Sequence, residues 1–97
     1  MVKHLVMWKI KDGDGQKKER ITKGKALLES LAGEIEGLLT LEVGLNANPV
    51  NEYDMVLETN HVSMSDLNYY QKHPKHLEVA TYIRSIAEKR ACVDFEY

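Results

Sequence analysis

The stretch VKHLVMWKI, Val2 to Ile10, alternates with period two, and both of its faces carry apolar side chains. Val2, His4, Val6, Trp8 and Ile10 fall on one side, and Lys3, Leu5, Met7 and Lys9 on the other. Period two predicts a β-strand. Leu5 and Met7 fill the middle of the second side, with lysines at its ends, so this strand needs cover above and below. A chain of 97 residues forms one domain, spanning 1–97, and buries only about 60% of the surface its unfolded form exposes. Its own helices suffice for one face of a sheet. A second copy is the simplest source of cover for the other.

The remaining elements follow from periodicity and punctuation. KDGDG (Lys11–Gly15) has the glycines and aspartates of a loop. Ile21, Leu28, Leu31, Ile35 and Leu38 recur at helical spacing, with Gly24 on the same stripe, and predict a long amphipathic helix stopped by Gly37. LTLEVGLN (Leu39–Asn46) alternates as a second strand, ANPVNE turns, and YDMVLETNHV (Tyr53–Val62) supplies a third. Ser63 with Asp66 three residues on is a capping-box pattern opening another helix. Pro74 interrupts that helix by forcing His73 out of the α region, and is itself suited to the first position of a new segment. That segment carries His76, Val79, Ala80, Ile83 and Ala87 on one face. RACVDFEY (Arg90–Tyr97) closes the chain as a strand, with Ala91, Val93, Phe95 and Tyr97 alternating against Cys92, Asp94 and Glu96.

The order βαββαβ predicts an α+β, ferredoxin-like sandwich: an antiparallel four-stranded sheet with two helices on one face. The sheet face bearing Leu5 and Met7 is then left bare, and an exposed apolar sheet face is a partner surface. A homodimer with sheets packed face to face, a dimeric α+β barrel, is the expected assembly.

Several functions are disfavoured. A net charge of −2 and the lack of a basic stripe give no reason to expect nucleic acid. The longest apolar run, Leu5 to Trp8, is far too short for a membrane span, and the start of the chain has no signal-peptide pattern. Cys92 is the sole cysteine, which excludes an internal disulfide and suits a cytoplasmic location. No histidine neighbours it in sequence to activate it as a nucleophile. No phosphate-cradling glycine motif occurs. His73 and His76 have a metal-compatible spacing, but they supply two ligands only and the proline between them disturbs their alignment, so no metal is expected.

The segments VKHLVMWKIKD, LEVGLN, YDMVLET, YYQKHPKH and RACVDFEY together resemble the stress-responsive A/B barrel (Dabb) domain family, within the dimeric α+β barrel superfamily. The strand-opening histidine and the His-Pro-x-His element are the most specific parts of the likeness. It implies the same fold and dimer, without an established activity for many members. Polyketide cyclases in the family close linear thioesters by aldol chemistry, with no metal or organic cofactor. Their catalytic tyrosine and histidine match Tyr70 and His76, and their first-strand histidine matches His4. A third-strand pocket histidine of theirs falls on Met55 here, and a pocket tryptophan falls on Ala87, so a different substrate shape is implied. Cofactor-free monooxygenases elsewhere in the superfamily share the barrel rather than these motifs.

The expected site is therefore a small-molecule cavity between sheet and helices. His4, Tyr70 and His76 form its polar floor, Val6, Trp8, Leu57 and Tyr82 its walls, and His73 stands beside it. His76, in the first turn of a helix, is expected to be held neutral by the positive helix end, as a general base requires. Tyr70 could polarise a carbonyl oxygen. The opposing reading is a non-catalytic stress or binding protein. In it His4 is a satisfied core histidine, His73 caps its helix and Tyr70 packs in the interior.

Overall fold

A computed structural model describes residues 1–97. Its elements run β1 (Val2–Ile10), α1 (Lys17–Glu29), β2 (Leu38–Leu45), β3 (Met55–His61), α2 (Met64–Lys72), α3 (Pro74–Ile86) and β4 (Ala87–Glu96). The strands form one antiparallel sheet in the order β2-β3-β1-β4. This is the expected ferredoxin-like arrangement. β1, whose two faces both need cover, lies inside the sheet between β3 and β4. The chain ends meet on neighbouring strands, where the Tyr97 N–H donates to the Met1 carbonyl at 3.0 Å.

The core lies between the helices and one sheet face. Val2, His4, Val6, Trp8 and Ile10 are all buried there, the last fully. Residues paired directly across antiparallel strands share a face. On the opposite face Leu5 stands beside Val93 and Glu58, Met7 beside Ala91 and Val56, and Lys3 beside Phe95 and Asn60. Met7 is 40% exposed, Val93 55% and Phe95 41%. One chain thus leaves an apolar strip along β1 and β4 uncovered.

The helical segments differ from expectation in three places. α1 ends at Glu29, well before Gly37. Leu31, Glu34 and Leu38 donate instead to carbonyls three residues back, and Gly33 turns the chain at φ +75°. Leu31 and Ile35 are buried all the same, as anchors of a turn-rich connection rather than of a helix. Gly37 serves that connection: its φ is +87°, and an added Cβ would lie 2.9 Å from the Asp66 side chain. Secondly, the second helical region is two helices, broken where Pro74 predicts, so the face carries three. Ser63 Oγ accepts from the Asp66 N–H at 3.2 Å and opens α2. His73 holds extended backbone, φ −64° and ψ 137°, and serves as the last cap of α2 and the first of α3. Thirdly, Ala87 begins β4 rather than ending the helix.

Candidate functional site

His4 is carried to the core by the alternation of β1, and the β4 register sets Asp94 directly opposite it. His4 Nδ1 lies 2.5 Å from Asp94 Oδ1, a short charge-assisted contact that fixes the imidazole plane. His76 occupies the third position of α3. Its Nδ1 lies 3.0 Å from the Gln71 carbonyl oxygen. A carbonyl can only accept, so Nδ1 carries the proton and Nε2 keeps a free lone pair. Burial is the main force holding the His76 imidazole below the ordinary histidine range. His4 and the guanidiniums of Arg84 and Arg90 push the same way, against the Gln71 hydrogen bond. The direction is the one expected from the sequence, but the cause is desolvation rather than the helix end.

Tyr70 is wholly buried at the centre of three histidines. Its ring centroid lies 4.6 Å from that of His76, 5.1 Å from His61 and 6.4 Å from His4. Its hydroxyl has no hydrogen-bond partner. Burial pushes the phenol upward, so it stays protonated. His61, also fully buried, shares Leu57's face of β3, and its Nε2 lies 2.9 Å from Thr59 Oγ1. Burial, then the nearby His4, lowers the proton affinity of its imidazole.

A cavity of about 470 Å³ opens between the sheet and α3. His4, Val6, Trp8 and Leu57 line its sheet side, and His76, Val79 and Ile83 its helix side. Arg84, Glu88, Lys89 and Arg90 also line it. Of the cations, Lys89 is paired with Glu52, whereas Arg84 and Arg90 form no ion pair. A cavity with apolar walls, a few convergent polar atoms and guanidiniums without an ion-pair partner is suited to a small acidic ligand.

The structure brings His4, Val6, Trp8, Leu57 and His76 together as expected. Tyr70 does not line the cavity; it packs behind His76. Tyr82 is not a wall either. Neighbouring helix positions differ by about 100°, so Tyr82 turns away from Ile83's face, and it stands over the outer groove between α1 and α3 with Lys23 Nζ 4.4 Å from its ring centroid. His73 lies outside as well: its Nδ1 accepts from the Lys75 N–H at 3.1 Å, which is a cap. The Nδ1 atoms of His73 and His76 are thus engaged with different backbone groups. Asp94, His61, Gln71 and the two arginines were not foreseen. For His61 a signal existed, since Met55, Leu57, Thr59 and His61 alternate on one face of β3. Cys92, beside which nothing in the sequence places a histidine, has its Sγ 3.7 Å from His4 Nδ1.

Two neutral histidines, the buried His61 and the half-buried His76, tie stability to pH. The unfolded chain protonates them near the ordinary value of 6.5, while the folded chain resists. Their stabilising contribution is present above that value and is lost as pH falls through the lower folded values. The urea midpoint should therefore drop between about pH 7.5 and about pH 5, and His61→Asn should flatten part of that slope. A midpoint unchanged across this range would refute the assignment.

A family model described as Stress responsive A/B Barrel Domain matches residues 2–97. An uncharacterized protein of Streptomyces coelicolor is 32% identical over 78 residues, 78% of this chain and 79% of its own length. A crystal structure from Bacteroides fragilis, described as a dimeric protein of unknown function with a ferredoxin-like fold, is 32% identical. It superposes with a TM-score of 0.90 over 99% of this chain and 95% of that one. The hydroxynitrile lyase of Passiflora edulis, 18% identical with a TM-score of 0.83 over 97% of this chain and 90% of its own, shares the fold. No helix is long and apolar enough to cross a membrane.

Proposed function

The chain belongs to the stress-responsive A/B barrel domain family, and from that premise we propose that it is a cytoplasmic homodimer whose cavity binds a small acidic ketide or aromatic compound and presents it to His76 as a general base. The observation that carries this reading is the fixed tautomer of His76. Its Nδ1 proton is committed to the Gln71 carbonyl, leaving a basic Nε2 on a ring that lines the cavity. Such a nitrogen can take a proton from carbon next to a carbonyl, and the enolate that forms would be stabilised by Arg84 and Arg90. His4, oriented by Asp94, is the second polar group a ligand would meet. The homodimer is supported by the uncovered strip of Leu5, Met7, Val93 and Phe95 and by the dimeric description of the Bacteroides relative.

Tyr70 fits the oxyanion role less well, because its hydroxyl is sealed in the interior. That sealing favours a second reading, a binding protein in which the tyrosine is packing. One experiment separates the two. Trp8 is the sole tryptophan and lines the cavity, so its fluorescence reports occupancy by 4-acetylbenzoate, an acidic aryl ketone. Deuterium exchange at the ketone's methyl group, followed by NMR, reports proton abstraction. The base reading expects exchange to fall by about 10²- to 10⁴-fold in His76→Ala with the melting curve nearly unmoved. Fluorescence change without any exchange leaves the binding protein. No change in Trp8 emission refutes occupancy by this ligand class.

A further inference from the structure

The register between β1 and β4 creates a cluster at the cavity's edge whose thiol the cavity chemistry does not use. His4 Nδ1, Cys92 Sγ and Asp94 Oδ1 all lie within 4.8 Å of one another. Nitrogen and carboxylate are 2.5 Å apart, and the sulfur is 3.7 Å from each. The cluster is not built as a nucleophilic triad. In such a triad the thiol and the carboxylate bond opposite ring nitrogens, so that one can lose a proton while the other orients the ring. Here both approach the same nitrogen, and a single Nδ1 cannot hold a proton for Asp94 and take one from Cys92. What the three atoms share is convergence on one point.

We propose that His4, Cys92 and Asp94 bind a thiophilic divalent transition ion, zinc(II) foremost. Ligand bonds of about 2.0 Å to nitrogen and oxygen and about 2.3 Å to sulfur set tetrahedral edges of about 3.3–3.5 Å. The two edges to sulfur are already near that length. The nitrogen–oxygen edge needs to widen by less than about 1 Å, and the Asp94 side chain, 30% exposed on the edge strand, has room to turn. His4 is the buried anchor, 2% exposed, and Cys92 and Asp94 reach solvent, which leaves the fourth position to water. A soft thiolate beside an imidazole selects zinc or copper over magnesium or calcium. On binding, the thiol proton leaves to solvent. The proton between His4 and Asp94 moves to Nε2, on the other edge of the imidazole. The site therefore sets which His4 nitrogen bears hydrogen, and does so independently of whether His76 acts as a base.

Cobalt(II), added to the intact metal-free protein, tests the site by spectroscopy. The expected result is one ion per chain, with a near-ultraviolet thiolate-to-metal band and the strong visible bands of four-coordinate cobalt, both displaced by zinc. Cys92→Ala should abolish the thiolate band, and Asp94→Ala should weaken zinc binding by at least about tenfold. Both side chains are at the surface, and melting curves would verify that the variants fold. His76→Ala should leave the spectrum unchanged. Absence of a thiolate band in the parent protein overturns the proposal, as does its persistence in Cys92→Ala.

Discussion

Met7→Glu should convert the proposed homodimer to monomer, with the dissociation constant raised by at least about a thousandfold. Met7 sits near the middle of the outer sheet face, between Val56 on β3 and Ala91 on β4. In a two-fold interface each substitution occurs twice, so a single change buries two carboxylates. Burying an unpaired charge costs several kcal/mol even after the surroundings relax. The outer face offers Lys3, Lys9 and Lys89 as cations, but Lys3 already pairs with Glu58 at 2.9 Å, Lys9 with Glu88 at 3.4 Å and Lys89 with Glu52 at 2.5 Å. Sedimentation velocity across micromolar concentrations reads the result directly. Val50→Glu, on a loop position 84% exposed, is the matched control and should leave assembly as it was. A Met7→Glu protein that sediments as the parent dimer would mean that copies meet elsewhere.

At Tyr70 the ring and the hydroxyl should act in opposite directions. Tyr70→Ala removes the largest fully buried side chain and should cost about 3–5 kcal/mol. Against a total stability of about 5–15 kcal/mol for a domain, that loss threatens folding. Tyr70→Phe keeps the ring and deletes a buried oxygen without a partner. An unsatisfied buried hydroxyl carries a desolvation cost of about 1–3 kcal/mol, so this variant should be as stable as the parent or more so. Urea denaturation of the three proteins measures both effects. A Tyr70→Phe protein nearly as weak as Tyr70→Ala would show that the hydroxyl is bonded after all, for instance to a water.

Local pattern was enough for the strands and for the helix break. Alternation over Val2–Ile10 sorted His4 inward and Met7 outward, and Pro74 marked the point where α2 stops. It failed where burial and helix part company. Leu31 and Ile35 continue the apolar spacing of α1, yet they are buried from a turn, because the helix ends at Glu29 and Gly33 then redirects the backbone. A periodicity argument counts buried positions and cannot tell a helix from a connection that dips into the core. The site shows a similar division. His4, His76, Val6, Trp8 and Leu57 were placed by the face each occupies on its own element. Asp94 and Cys92 needed the register between β1 and β4, residues about 90 apart, which no local window contains. Tyr82 was expected in a wall, but it stands one helical step from Ile83 and so faces the outer groove.

The bond between Tyr97 and Met1 has a mechanical consequence. Residues 1 and 97 sit side by side on antiparallel strands, so tension applied between them peels β4 from β1 rung by rung instead of shearing the whole ladder at once. Val2–Glu96 is the first pair on that zipper and His4–Asp94 stands only two rungs further in. A pull applied between residues 1 and 97 would thus break the His4–Asp94 rung and open the cavity's sheet wall before it reached the β2–β3 pair.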